Sequence, residues 1–392
     1  MSRAMKKFLA ATFSLALLFG LAACGPQTSS SDEKKNGGGS SDSEELKIGL
    51  VLAETGPAST LGLSEVQTMK LLQEQLDKEG PIDGKTVKLV LQDYETDDTK
   101  AVTAMDRLIS EGVVAVVGAT QVSTTAAILP KTVEAGLPFV TVAPADTKNE
   151  NVFVTTPSSK TVAEVMIDWL NKKNIKKVGW INASDAFGVE GLPHFEELIK
   201  DTDIEIVAHE EFDASATDMT VQLTKIKKAS PEVVIVWSRT PGAGVVARNF
   251  KALDFDIPMI QSTAAANQGF LDQVKDDNDN IFVVGSKISV VDQLSDSDQK
   301  QRLKAYRDAF QEKFNAIPDL FAAHTHDAIS MIVEAIKAGS TEPADITKFL
   351  TNEMGEYPGM TGTFNYGEDR STAQPDGLAI LGIENNEWKL SE

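Results

Sequence analysis

From residue 46 onward, unbroken apolar runs alternate with amphipathic stretches. This alternation restricts the chain to parallel sheets covered by helices on both faces. LKIGLVLA (46–53) has the pattern of a strand buried on both sides. Leu63, Val66, Met69, Leu72 and Leu76 then recur every three or four residues, as on one face of a helix. VKLVLQD (86–92) predicts a strand, 98–111 a helix, VVAVVGA (113–119) a strand, 123–134 a helix and PFVTVA (138–143) a strand.

After Thr155-Thr156-Pro157 the cycle begins again. Helices are expected at 160–172, 189–200, 218–229 and 242–253, and strands at 176–182, 204–212, 233–237, near 258–261 and near 281–285. Two successive sets of β–α units in roughly 345 residues imply two α/β lobes, each a doubly wound parallel sheet, rather than one giant sheet. Long helices at 296–315 and 322–338, with no strand between them, are expected to return and pack on one lobe. Short antiparallel strands are expected at 363–366, 378–383 and 387–390. The expected division is 46–158 with 288–358 as the first lobe and 159–287 with 359–392 as the second. In open α/β sheets ligands bind beyond the carboxyl ends of the strands, and two lobes facing each other enclose a cleft. The candidate lining is therefore the loops at 54–62, 93–97, 119–125, 143–148, 183–189, 238–244 and 262–268.

The first 45 residues follow different rules. Arg3, Lys6 and Lys7 precede an apolar stretch over 8–21 and the small residues Ala22 and Ala23, the order of a secretory leader. The stretch is shorter than the roughly 20 apolar residues a membrane span needs. Leu21-Ala22-Ala23-Cys24 resembles a lipobox, so 1–23 is expected to be removed and Cys24, the sole cysteine, to be acylated. Residues 24–45, rich in Gly, Ser and charge, read as a flexible tether. The folded part would then be anchored to the outer face of the cytoplasmic membrane rather than spanning it. Removing the leader's three cations leaves 34 basic residues against 58 acidic ones, a net charge of −24. Such a surface repels phosphate backbones and argues against nucleic acid as a partner.

Within the loops, Val122-Ser123-Thr124-Thr125 lies between a buried strand and a helix. It reads as a helix cap, as a cradle for a carboxylate at the helix N-terminus, or as both together. Arg239, directly after the strand 233–237, is either a rim cation paired with a surface acid or a bidentate carboxylate ligand. Gly242-Ala243-Gly244 mimics a dinucleotide fingerprint but reads as a tight strand–helix join. His324 and His326, two apart on a helix, point in different directions and read as ordinary helix histidines, and no metal site is expected. No nucleophile–base pair or Gly-x-Ser-x-Gly elbow is present, so neither catalysis nor a cofactor is expected.

The ordered set of loop residues resembles the type I solute-binding proteins of ABC importers, in the branched-chain amino-acid (leucine-binding-like) branch. The resemblance is carried by Glu54-Thr55-Gly56-Pro57 with Gly62, Asp93 with Asp97-Asp98, and Phe187-Gly188 after Ser184-Asp185. Thr217-Asp218-Met219 before Gln222-Leu223 and Ile226-Lys227, and the segment 264–267, continue it. It implies a type I periplasmic binding protein fold: two lobes joined by a three-segment hinge, closing over one small solute, with a membrane permease as partner and the chain itself a monomer. It also implies the site residues Leu61, Val122 with Ser123 and Thr124, Ala143 and Ala145, Phe187, Arg239 and Thr263. Several depart from the amino-acid pattern. Val122 stands where a serine often holds the ligand carboxylate, Ala145 for a threonine, Leu61 and Arg239 for aromatics, and Thr263 for the acid that pairs with the ligand ammonium. The expected ligand is a small hydrophobic or branched-chain amino acid held by a relocated acid such as Asp185, Asp146 or Glu54. The alternatives are an amine-free, possibly aromatic carboxylate in the same role, or a sensory rather than a transport module.

Overall fold

A computed structural model describes residues 44–145, 147–275, 278–370 and 373–391. The leader, Cys24 and most of the expected tether lie outside the described residues. The first set of elements is β1 (Glu44–Leu52), α1 (Ser59–Glu79), β2 (Lys85–Asp93), α2 (Asp98–Ser110), β3 (Ala115–Gly118), α3 (Val122–Glu134), β4 (Phe139–Thr141) and β5 (Val152–Val154). The second is α4 (Ser159–Lys172), β6 (Lys177–Ala183), α5 (Gly191–Ile199), β7 (Glu205–Phe212), α6 (Thr220–Lys228), β8 (Val233–Trp237), α7 (Gly242–Ala252), β9 (Met259–Gln261), α8 (Gln268–Val274) and β10 (Ile281–Ser286). The chain ends with α9 (Asp298–Phe314), α10 (Leu320–Lys337), α11 (Pro343–Lys348), β11 (Tyr357–Pro358), β12 (Thr363–Phe364), β13 (Leu378–Glu384) and β14 (Glu387–Leu390).

The two sets build two sheets on one plan. The first runs β2-β1-β3-β4-β5, all parallel, and the second runs β7-β6-β8-β9-β10 in parallel before adding β13 and β14 antiparallel at its far edge. Numbered within its own set, each parallel part has the order 2-1-3-4-5 of a doubly wound sheet. β8, and β1 from Ile48 onward, carry no polar side chain because helices cover both faces: Ile48, Leu50, Val234 and Val236 are fully buried.

Helix α10 shows the same economy of burial. It packs Ala328, Met331, Ile332 and Ile336 into one core with Val66, Met69 and Leu72 of α1 and the strands of the first sheet. Helix α9 adds Leu303, Tyr306 and Phe310 beside Leu71. At the start of α10, Leu320 joins the core of the second sheet with Trp180 and Trp237.

Some boundaries differ from the sequence reading. β1 starts at Glu44, inside the expected tether. β5 has only three residues and follows a loop, too short a run to show a period. Phe364, Tyr366 and Ala373, expected with the second lobe, pack into the first core, where the Tyr366 ring lies tilted against Phe153 and its hydroxyl donates to the Val154 carbonyl. Fully buried Asp327 holds this segment to α10, accepting from the Met360 and Thr361 amides and the Thr361 hydroxyl.

Candidate functional site

In each sheet the strand order reverses between the first and third strands of its set, and there the outgoing loops part and leave a crevice. In the first sheet these are the loops after β1 and β3; in the second, those after β6 and β8. Both crevices open into one cavity of about 600 Å³, part of it open to solvent. Leu61, Val122, Ala143, Phe187, Arg239 and Thr263, six of the residues expected in the site, line it. The other three do not. Ser123 is exposed on α3, Thr124 is buried and donates to Asp98, and Ala145 lines neighbouring depressions instead.

A glycine sets the loop in each half. A Cβ on Gly62 would fall 2.1 Å from the Ala53 carbonyl oxygen, and one on Gly188 would fall 2.0 Å from that of Ala183. At each end of strand only a hydrogen fits against the backbone, which brings Leu61 in one half and Phe187 in the other to the cavity. The Phe187 ring lies 6.1 Å from Trp237, which in turn stacks on Trp180 at 5.7 Å. A Cβ on Gly244 would meet the Gln273 side chain of α8 at 2.0 Å, so this glycine serves the contact between α7 and α8 rather than a join to the strand.

Arg239, in the second half, is the charged residue of the described cavity lining, and its partner Asp185 lies outside that lining. Nη2 of Arg239 is 3.0 Å from Oδ2 of Asp185, and the two side chains are 30% and 18% exposed. The separation is that of an ion pair, but Oδ2 is buried and accepts no directed hydrogen bond, while Oδ1 accepts the Gly188 amide. The pair therefore keeps an unused acceptor beside a cation. Of the other acids considered, Glu54 is engaged by Lys70 at 2.8 Å, and Asp146 lies outside the described residues.

Among the described residues, the first half lines the cavity with no charged side chain. Its loop after β3 offers Thr120, Gln121 and Val122 at the start of α3. α2 and α4 are capped by Asp97 and Ser158, whereas no side chain caps α3. The first-turn amides of α3 therefore keep their donor capacity. Thr120 accepts the Ala53 amide and donates to Glu65, a fully buried carboxyl on α1. Burial pushes the Glu65 carboxyl well above the usual range, partly offset by that hydroxyl. Asp319, the cap of α10, is likewise pushed up to about 6 by burial.

The sequence reading missed part of the lining. Thr156 and Pro157 come from the segment linking the two sheets, Ser159 and Val162 from α4, and Leu320, Phe321 and His324 from α10. The only signal was a polar His324 on the apolar face of a buried helix, which the sequence reading took for an ordinary helix histidine. Among the described residues no cluster of His, Cys, Asp and Glu has the form of a metal site, and no helix is long and apolar enough to cross a membrane.

Comparison with known proteins places this architecture. A Leu/Ile/Val-binding protein of Rhizobium johnstonii is 25% identical over 334 residues, 83% of this chain and 88% of its own. The leucine-, isoleucine-, valine-, threonine- and alanine-binding protein of Pseudomonas aeruginosa is 22% identical, covering 83% and 87%. An extracellular ligand-binding receptor from Rhodopseudomonas palustris superimposes with a TM-score of 0.81 at 21% identity, over 89% of this chain and all of that one. The branched-chain amino acid transporter substrate binding protein LivJ of Streptococcus pneumoniae, solved in complex with isoleucine, gives 0.79 at 24% identity over 89% and 99%. The family model for periplasmic binding proteins matches residues 45–384. With its two doubly wound sheets and one cavity between their switch points, the chain belongs to the periplasmic binding protein family, whose members bind solutes and are not enzymes.

Proposed function

We propose that this protein is the extracytoplasmic solute-binding lipoprotein of an ABC importer, capturing a small hydrophobic or branched-chain amino acid as its lobes close. The observation that carries the ligand class is Arg239, which lines the cavity and pairs with Asp185 just outside its lining. Burying a zwitterion is costly unless both of its charges are met. Arg239 meets the carboxylate, with the α3 amides as further donors, and the unused Oδ2 of Asp185 meets the ammonium. The acid missing at Thr263 is thereby replaced from a neighbouring loop. The names of the relatives, Leu/Ile/Val-binding proteins and a LivJ bound to isoleucine, agree with this reading. Thr263 and Arg239 also favour a second reading, a carboxylate with no amine. Closure follows from differential affinity, since a ligand touching both lobes stabilises the state in which both reach it.

Calorimetric titration with leucine, isoleucine, valine and phenylalanine against their deaminated carboxylate analogues decides between the readings. The amino acids are expected to bind more tightly, and tighter binding of the analogues would give the site to the second reading. For the anchor, Cys24→Ser is expected to release the chain from membranes in detergent-free washes; retention would refute lipid attachment at Cys24.

A further inference from the structure

The cavity wall made by α10 and the linking segment is apolar except at two buried side chains. His324 is 2% exposed and Thr156 is 7% exposed, and both line the cavity. The His324 ring donates to the Thr155 carbonyl, and its Nδ1 has no partner among the described residues. With the ring proton on Nε2, Nδ1 is left as an acceptor. Thr156, the next residue along from that carbonyl, has a buried Oγ1 that is also unpartnered. The ring is held edge-on to Phe321, with centroids 6.4 Å apart at 87°. Two orphaned polar atoms in residues lining one apolar wall are expensive unless something fills the cavity and bonds them.

We propose that the body of the solute ends in a hydrogen-bond donor, a side-chain hydroxyl or ring N–H, which His324 Nδ1 accepts with the Thr156 hydroxyl beside it. The proposal rests on the amino-acid reading above and narrows it to side chains that carry such a donor. Burial supports it independently, because it pulls His324 down to about 4 and so keeps the ring neutral and accepting at ordinary pH. A purely aliphatic body would cover Nδ1 without satisfying it. A polar pocket group discriminates strongly against a ligand that lacks its partner.

The test is calorimetric titration of the full chain with pairs that differ by one hydroxyl: tyrosine against phenylalanine, threonine against valine, and 4-hydroxyphenylpyruvate against phenylpyruvate. In at least one pair the hydroxylated member is expected to bind about tenfold more tightly or better. In His324→Leu that ratio is expected to fall toward one, and Thr156→Val, a smaller change, serves if the first variant folds poorly. A merely structural role for His324 would weaken both members together and leave the ratio unchanged, which overturns the proposal. Equal or tighter binding of the plain member in every pair also overturns it, a resident water then satisfying Nδ1 in both complexes. If only the pyruvates bind, the amino-acid reading falls and the hydroxyl preference is read from that pair. If none of the six binds, both readings fall.

Discussion

The two halves of the molecule are built alike and equipped differently. Each winds its sheet in the same order, and each seats its first loop with a glycine pressed on the end of its leading strand. At the cavity they diverge. The second half presents Arg239, paired with Asp185 outside the lining, beside an aromatic, Phe187. The wall formed with the first half presents backbone dipoles, hydroxyls and an imidazole; that imidazole, His324, and the carboxyls of Glu65 and Asp319 buried outside the lining are all displaced by burial toward their uncharged forms. Common architecture therefore fixes where a ligand sits, and the divergent loop residues decide what it is.

The likeness is sharpest at the glycines, where the largest effects are expected. Gly62→Ala and Gly188→Ala each force a Cβ onto a carbonyl oxygen and should each cost about 3 kcal/mol in urea unfolding. A large cost at one site and a negligible one at the other would break the equivalence of the two loops. The contrast in charge comes next. Arg239→Ala should lose about 2 kcal/mol of affinity for a carboxylate ligand by titration, whereas Val122→Ala on the opposing loop should lose less. Asp185→Asn should weaken an amino acid more than its deaminated analogue, and equal effects on the two would remove Asp185 from ammonium recognition.

A pH-dependent effect tests the neutrality of the groups buried near the first wall. Asp319 titrates near 6 when folded and near 3.8 when unfolded, so the folded state takes up its proton first and gains stability as pH falls through this window. Asp319→Asn keeps a competent helix cap and removes that dependence. Its stability advantage over the parent should be on the order of 2 kcal/mol at pH 7 and should shrink toward pH 4 in thermal melts. His324 runs the opposite way: its unfolded form protonates near 6.5 and its folded form near 4, so its contribution is lost as pH falls between them.

Local pattern carried most of the fold. The strand 233–237 begins and ends where its apolar run does, 387–390 forms with the bounds expected, and the loops after the strands supplied six cavity residues. Where the reading fell short, the deciding contacts lie far apart in the chain. Nothing near residue 324 says that this helix turns its first two turns toward loops some 200 residues earlier. Nor does the short run at 363–366 announce that Phe364 and Tyr366 join the first core. Arg239 was visible as a residue, but its neighbour Asp185 was identified as a partner only by geometry.

The way the last quarter of the chain is shared out has a consequence for synthesis. The first sheet receives its covering helix from residues 320–337, and the second receives its closing edge only when Ile380 and Leu381 pair with β10. A nascent chain that has emerged as far as residue 287 has both parallel sheets in hand, yet one lacks a covering helix and the other has an open edge. Such surfaces are sticky toward other chains. Neither half can finish folding ahead of the ribosome, and a stalled or truncated product would be marked by exposed core rather than by a missing ornament.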